Sequence, residues 1–143
     1  MTTETAQIAT RAGTAPLQVL RPTNRDCGTT QTPGMQREAG VSLETTGAEQ
    51  LWMGHVTVAP GVESGVHHHG ACESGIYIIS GQARFRSGPD LSEQADAGPG
   101  DFIFVPAWAL HQEINLSQTE PVVAIVCRTV TDDELVYNEA AAR

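Results

Sequence analysis

The sequence predicts an all-β domain built as a sandwich or a barrel, and two observations support this. Short runs rich in Val, Ile, Phe and Tyr recur roughly every ten residues from residue 35 onward, with Gly- and Pro-containing turns between them. No segment between these runs has a helical hydrophobic period long enough for a strand–helix–strand unit. The clearest runs are QLWMGHVTVAPG, ESGIYIISGQARFR, DFIFVP, LHQEINL and PVVAIVCRTV.

The two ends of the chain differ from this central part. Residues 1–15 are rich in Thr and Ala without an apolar period, and we expect a flexible tail there. Residues 16–22, PLQVLRP, resemble an edge strand bounded by proline. Thr131 and Glu134 form a capping-box pattern that good helix formers follow. The sequence therefore predicts one domain over residues 16–143, with barrel strands over about 35–130 and a short C-terminal helix over about 132–141.

Charge and cysteine content limit the classes of partner and the compartment. The 143 residues include 8 basic and 17 acidic side chains, which gives a net charge of −9. Phosphate backbones and anionic lipids repel such a chain, so we expect neither nucleic acid nor a membrane as a partner. Three widely spaced cysteines do not indicate a disulfide framework. The N-terminus lacks the apolar run of a signal peptide, and we expect a cytoplasmic protein.

The histidine run in VHHHG, residues 66–70, predicts a metal-binding pair. In an extended chain, His67 and His69 lie on one face and His68 lies on the other. Two imidazoles with this spacing form a chelate for a transition metal. Considered alone, the run is equally compatible with an exposed histidine cluster that binds nothing. His55, in a separate apolar run, is more typical of a structural histidine.

A third histidine completes a pattern that resembles the cupin superfamily. In that family, a first motif G-x5-H-x-H-x(3–4)-E-x6-G precedes a second motif G-x5-P-x-G-x2-H-x3-N. The chain matches the two motifs in order between residues 61 and 115. The matching residues are Gly61, His67, His69, Glu73 and Gly81 in the first motif, and Gly100, Pro106, His111 and Asn115 in the second.

The resemblance implies a small single-domain jelly-roll barrel with a metal site. His67, His69 and His111 would bind one divalent transition metal per chain, with Fe, Ni, Mn, Cu and Zn all open as its identity. The alternative is a metal-free cupin that keeps the histidines for their polarity. Small cupins commonly form homodimers through N-terminal strands, and the corresponding segments here are residues 16–22 and 32–40.

Two departures from the motifs affect the site. Trp108 replaces the glycine of the second motif, so we expect a turn built without a positive-φ residue and an aromatic wall at the pocket rim. Seven residues, not six, separate Glu73 from Gly81. Strand parity then turns Ser74 inward and Glu73 outward. A bulge near Gly75 would turn Glu73 back in as a metal ligand or catalytic group, so both placements remain open.

Glu113 is the second acidic candidate. It follows His111 by two residues, so both side chains, together with that of Asn115, are expected on the barrel-facing side. A carboxylate beside a metal can act as a ligand, as a partner of a histidine, or as a general base. A salt bridge at the rim is the competing interpretation.

These features predict a metal-dependent enzyme that acts on a small organic molecule held in the barrel. A dioxygenase-like reaction and an isomerase- or lyase-like reaction are both compatible with a His-ligated metal, and Glu113 and Glu73 are the candidate catalytic residues. The alternative is a cupin that binds a metal or metabolite without turnover, because one fold hosts both roles. The expected apolar lining comes from Ile76, Ile78, Phe102, Phe104 and Val105, or from their neighbours of opposite parity.

Overall fold

Eight β-strands form two antiparallel sheets in the computed structural model, which describes residues 13–130. The first sheet has the strand order β1-β2-β8-β3-β6, and the second has the order β5-β4-β7. This two-sheet architecture confirms the predicted all-β class and is consistent with a jelly roll. The strands are β1 (Met35–Val41), β2 (Leu51–Val58), β3 (Ser74–Ser80), β4 (Ala83–Ser87), β5 (Glu93–Ala97), β6 (Phe102–Val105), β7 (His111–Asn115) and β8 (Val122–Thr129).

Alternating burial along the strands defines the inner face of the first sheet. In β2, Trp52, Val56 and Val58 are buried, while Leu51 and Met53 are exposed on the other face. The central strand β8 pairs with β2 on one side and with β3 on the other. Its buried residues are Val122, Ala124, Val126 and Arg128, so a charged side chain continues an otherwise apolar inner row.

The apolar interior is built from aliphatic side chains. Ile76 and Ile78 of β3 and Val105 of β6 are buried, as the sequence predicts. Phe102 and Phe104 do not line the interior, because they are 82% and 64% exposed on the outer face of β6. Ile103, between them, packs against the core instead. Only about 30 Å³ of cavity remains among the core side chains.

Gly81 connects the two sheets at a point where the backbone is crowded. It lies between β3 of the first sheet and β4 of the second, and its φ of 88° is in the left-handed region. A Cβ atom there would overlap the carbonyl oxygen of Pro121 and would lie 2.8 Å from the Cα of Val122. Glycine is therefore required for both its conformation and its small size.

The predicted edge strand over residues 16–22 is wrong. Residues 13–21 have no regular secondary structure, and a 3₁₀-helix follows at Pro22–Asn24. Leu17 and Val19 are 86% and 65% exposed, and Gln18 Nε2 donates a hydrogen bond to Thr46 O. The apolar content of this segment therefore does not bury it against the barrel. The homodimer expected through this segment stays a prediction.

Two elements have no clear signal in the apolar pattern. The helix α1 (Leu43–Thr46) lasts one turn, with Ser42 and Thr45 forming a reciprocal capping box and Gly47 ending it in the left-handed conformation. Strand β5 is exposed except for Ala97, so it lacks an apolar alternation.

The predicted C-terminal helix over residues 132–141 and most of the predicted tail over residues 1–15 lie outside the described residues. Within residues 13–130, no helix has the length and apolar character needed to cross a membrane.

Candidate metal centre

Three buried histidines meet inside the barrel. His67 and His69 lie in the segment between β2 and β3, and His111 is the first residue of β7. Each offers one ring nitrogen, and these three atoms lie within 4.8 Å of one another. The three residues are only 3–7% exposed. The structure therefore brings together the three histidines that the sequence singles out.

Backbone hydrogen bonds hold two of these histidines side by side. The N–H of His67 donates to the carbonyl of His111 at 3.0 Å, and the N–H of His111 donates to that of His67 at 2.9 Å. This bridge joins the histidine segment to the edge of the second sheet. The separation of the two residues is thus set by main-chain geometry and does not depend on the imidazoles themselves.

Local carbonyl groups also orient the two rings. Nδ1 of His67 lies 2.7 Å from Gly65 O, and Nδ1 of His111 lies 2.8 Å from Ala109 O. Because a carbonyl oxygen only accepts, Nδ1 carries the proton in both rings and Nε2 keeps its lone pair. Second partners of this kind are typical of metal-ligating histidines.

The chemistry of the cluster fits a metal ion. His111 Nε2 is buried without a hydrogen-bond partner among residues 13–130. An unsatisfied buried nitrogen is costly, and a coordinated cation would satisfy its lone pair. The ring centroids lie 4.3–5.1 Å apart, so all three imidazoles border one small volume. Neutral imidazole is the form that binds metals such as zinc, iron, nickel, copper and manganese.

Burial favours the neutral form of two of the rings, those of His67 and His69. Burial lowers the pKa of His69 to about 2, and the positive charge of Arg128 adds to this effect. Burial also lowers the pKa of His67, although the Gly65 carbonyl acts in the opposite direction. Near neutral pH, no proton has to leave the rings of His67 and His69 before a metal binds, which favours metal uptake.

The lowered pKa predicts a specific acid sensitivity. Between pH 6.5 and about 2, the unfolded chain protonates His69 while the folded protein does not, so acid favours unfolding. Above pH 6.5, we expect protonation of His69 to have no effect on the free energy of unfolding of the metal-free protein. As the pH is lowered below 6.5, this residue should reduce the free energy of unfolding by about 1 kcal/mol per pH unit. Urea unfolding at several pH values after chelator treatment measures this.

The control for the pH prediction is the neighbouring histidine. His69→Asn should give a shallower slope of stability against pH than the unmodified protein. His68→Asn should leave the slope unchanged, because His68 is only half-buried and lies outside the cluster. Equal slopes for all three proteins would contradict the assignment to His69.

The remaining histidines lie elsewhere. Nδ1 of His68 accepts a hydrogen bond from Gly70 N at 3.1 Å, and its ring faces Trp108 at a centroid distance of 5.6 Å. His55 is on the outer face of β2, between the inner residues Gly54 and Val56.

The structure does not bring Glu73 to the histidines. Glu73 is exposed, whereas Ser74, the first residue of β3, is 2% exposed and faces inward. The extra residue before Gly81 is therefore not absorbed by a bulge that would turn Glu73 inward; Ser74 takes the inward position. The Ser74 hydroxyl is buried without a hydrogen-bond partner among residues 13–130. The three histidines form this candidate site without a carboxylate from β3.

Glu113 and Asn115 follow His111 along β7. Glu113 pairs with Phe85 across the sheet and borders the small core cavity, and its negative charge raises the pKa of His67. Asn115 has a different role. Its Nδ2 lies within 2.9–3.2 Å of the carbonyls of Val58, Ala59 and Glu120. Asn115 therefore ties loops and strands together, while Glu113 remains the acidic group near the histidines.

Trp108 corrects the expectation about the turn before His111. The turn does contain a positive-φ residue, and that residue is Trp108 itself, with φ of 63°. Its N–H donates to Gly70 O at 2.7 Å, which holds the turn against the histidine segment. Its side chain is 63% exposed and borders a cavity of about 590 Å³ that reaches His111. A left-handed backbone therefore persists although tryptophan replaces glycine.

A second cavity reaches the cluster from another direction. It has a volume of about 280 Å³ and is bordered by Arg37, Ser64 and His67, together with the loop around Thr32. A small molecule can thus approach the histidines beside His111 or beside His67.

Two buried arginines are absent from the sequence-based candidates. Arg37 of β1 is 4% exposed, and Arg128 of β8 is 6% exposed. The alternation of side chains along each strand indicates an inward position for both. Arg37 alternates with buried Met35 and Ala39, and Arg128 continues the buried row of β8. The two motifs span only residues 61–115, and both arginines lie outside that range.

Comparisons with solved structures reveal similar barrels. KdgF from Halomonas sp. has a TM-score of 0.64 and 19% identity, with 84% of this chain and 100% of that chain covered. A protein from Acidithiobacillus ferrooxidans, provisionally named a sugar phosphate isomerase, has a TM-score of 0.57 and 27% identity. That match covers 70% of this chain and 63% of the other. Oxalate decarboxylase has a TM-score of 0.59 and 25% identity, with 68% of this chain and 26% of that chain covered.

Sequence comparison identifies the family. A search of curated proteins finds no match. The family described as the cupin domain matches residues 54–127, which is more than half of the 143 residues. The matched segment contains all three clustered histidines and five of the eight strands in full. The strand residues outside the match, which are β1, the start of β2 and the end of β8, complete the first sheet. The chain belongs to the cupin superfamily.

Proposed function

We propose that this protein is a mononuclear metal enzyme whose three histidines bind one divalent transition metal that acts on a small organic molecule. The observation that carries this proposal is the buried cluster itself, with three ligand atoms within 4.8 Å. Three protein ligands leave coordination positions for a substrate, which is the arrangement of catalytic sites and not of closed structural ones. Ser74, and not Glu73, takes the inward position at the start of β3, so this strand supplies no carboxylate ligand that would fill one of these positions.

The metal would supply Lewis-acid chemistry, polarising an oxygen of the substrate. The chain's own groups hold and shield the site. The carbonyls of Gly65 and Ala109 keep the Nδ1 protons of His67 and His111 in place, so that Nε2 faces the cluster. The aliphatic core below the cluster excludes water, since little cavity volume remains there. The substrate would therefore lie in the cavities beside His111 and His67, above the core.

Glu113 is the residue proposed to move a proton. It lies on the inner face two positions after His111, and its charge acts on His67. A carboxylate in this place can take a proton from a bound molecule or return one. Glu73 has no such position, because it is exposed.

Isomerase or lyase chemistry is favoured over a dioxygenase-like reaction. Two of the similar structures carry the names of an isomerase and a decarboxylase. Both classes need proton movement beside a polarised oxygen, and Glu113 with a metal would provide it.

Elemental analysis of protein purified without chelator tests the metal. About one transition metal per chain is expected. Protein that takes up none of Fe, Ni, Mn, Cu and Zn when each is added would overturn the proposal. Loaded protein is then assayed with small hydroxy-, keto- and carboxylate compounds. Turnover lost on removal of the metal, and in Glu113→Gln, is the expected result. Metal binding without any turnover would instead indicate a binding cupin.

A further inference from the structure

Trp108 adopts a backbone conformation that favours glycine. Its φ of 63° lies in the left-handed region, where the Cβ of an L-residue crowds its own backbone. The side chain is 63% exposed, so burial of the indole offsets little of this strain. The hydrogen bond from Trp108 N to Gly70 O uses main-chain atoms and would form equally well with glycine at position 108. Stability therefore does not account for this tryptophan, and backbone strain of this kind is concentrated at functional sites.

The indole of Trp108 is held beside the histidine cluster. The main-chain hydrogen bond to Gly70, at 2.7 Å, fixes the turn that carries it. Its ring also contacts that of His68, with the two ring planes inclined at 51°. An indole positioned in advance loses little further freedom when a flat ring stacks on it, which favours binding of an aromatic ligand.

The cavity that Trp108 borders is large and mainly apolar. Its walls come from the edge strands of both sheets, β6 and β5, from β4, and from the turn that leads to His111. Its volume of about 590 Å³ falls within the range of about 300–1,000 Å³ that is usual for pockets of small organic ligands. The large apolar side chains that border it are Phe85, Ile103, Phe104, Val105, Trp108 and Leu110.

The charges around this cavity disfavour an anionic ligand. Among residues 13–130, Glu93 is the one acidic residue that borders it, and no arginine does. Away from the His111 end, a carboxylate or phosphate group would find no positive partner and would be repelled by Glu93. The part of a ligand that lies against Trp108 is therefore expected to be uncharged.

We propose that Trp108 determines substrate specificity by stacking on the ring of an uncharged aromatic molecule in the cavity beside His111. Such a molecule would carry a carbonyl or hydroxyl oxygen and direct it towards the histidine cluster, three residues further along the chain. The proposal rests on the proposed function in making this molecule the substrate. Stacking of the ring on the indole needs no metal.

The test compares acetophenone with cyclohexyl methyl ketone, which carries the same carbonyl group on a saturated ring. Isothermal titration calorimetry is carried out on chelator-treated protein, so that a metal does not contribute to either affinity. Acetophenone should bind at least about fivefold more tightly, because only the flat ring stacks on the indole. Para-acetylbenzoate, which adds a carboxylate at the far end of the ring, should bind at least about fivefold more weakly than acetophenone.

Trp108→Gly restores the residue that the second motif has at this position. Its preference for acetophenone over the saturated ketone should fall to about twofold or less, whereas Trp108→Phe should keep a preference because it retains an aromatic ring. Trp108→Gly should unfold at an equal or higher urea concentration, because glycine adopts this backbone without strain. Its metal content should be unchanged, because the three histidines remain. Loss of the preference without loss of stability or metal separates ligand binding from a structural role.

Phe102→Ala is the matched control. Phe102 is an exposed aromatic residue of β6 that does not border this cavity, so its replacement should leave the preference for acetophenone unchanged. Equal affinity of the unmodified protein for the two ketones, or no detectable binding of either, would overturn the proposal without any variant. An unchanged preference in Trp108→Gly would rule out Trp108 as the stacking residue. Tighter binding of para-acetylbenzoate than of acetophenone would show that the ligand is not uncharged.

The two proposals fail separately. If the preference for acetophenone depends on Trp108 but no metal is taken up, the metal enzyme is wrong and the aromatic site stands. If the protein binds a metal and turns over a molecule without an aromatic ring, and binds the two ketones equally, the aromatic site is wrong and the metal enzyme stands.

Discussion

Replacement of His111 with alanine is expected to abolish metal binding, with metal content falling from about one per chain to less than about a tenth. His111 supplies one of three ligand atoms, and the remaining pair has no carboxylate from β3 to replace it. The fold should survive, because the main-chain bridge to His67 does not use the imidazole. Elemental analysis and urea unfolding on the same preparation separate loss of metal from loss of structure.

His68→Ala is the matched control for this experiment. His68 adjoins two of the clustered histidines in sequence, but its ring contacts Trp108 and its Nδ1 accepts from Gly70. We expect unchanged metal content. If all three alanine variants, at positions 67, 68 and 111, lost metal equally, the assignment of the ligands by strand parity would be wrong.

Gly81→Ala should have the largest effect on stability. A side chain at this φ of 88° costs about 1–2 kcal/mol by itself. The new Cβ would also overlap the backbone carbonyl of Pro121, which is part of the connection into β8 and has little freedom to move. Together these effects should lower the free energy of unfolding by about 3 kcal/mol or more. Chemical denaturation measures the change.

Gly75→Ala, in the strand β3 that ends just before Gly81, provides the comparison. Its φ is not in the left-handed region, and, apart from its two chain neighbours, no atom of residues 13–130 lies within 4 Å of a Cβ built there. The change should alter stability by less than about 1 kcal/mol, and it can be stabilising because alanine restricts the unfolded chain. A large loss at Gly75, or none at Gly81, would contradict the explanation based on backbone crowding.

Most of the strands that the sequence predicted have buried alternation. β2, β3, β6 and β8 turn every second side chain towards the core, and that period is visible in the residues. β5 escaped prediction because it is nearly all exposed, so its position depends on hydrogen bonding to β4 and not on burial. The strand predicted at residues 16–22 was wrong for the opposite reason, because the apolar side chains there remain exposed.

The candidate site also contains some residues that the sequence predicted and others that it did not. The match to the two cupin motifs located the three histidines, and counting back from Gly81 placed Ser74 at the inward position. The left-handed backbone of Trp108 could not be predicted from the sequence, because tryptophan has no preference for this conformation. Arg37 and Arg128 were missed because charged residues are usually exposed, although their parity pointed inward.

The position of β8 in the first sheet has a consequence for how the protein is made. Within residues 13–130, β8 is the last strand in sequence, yet it lies between β2 and β3 at the centre of the sheet. During synthesis, the β1–β2 pair and the β3–β6 pair therefore have no common neighbour until residues 122–129 leave the ribosome. Strand pairing across such a separation is slow, and unpaired edges are exposed to other chains meanwhile. The arrival of β8 both joins these halves and brings Arg128 to the inner face of the first sheet.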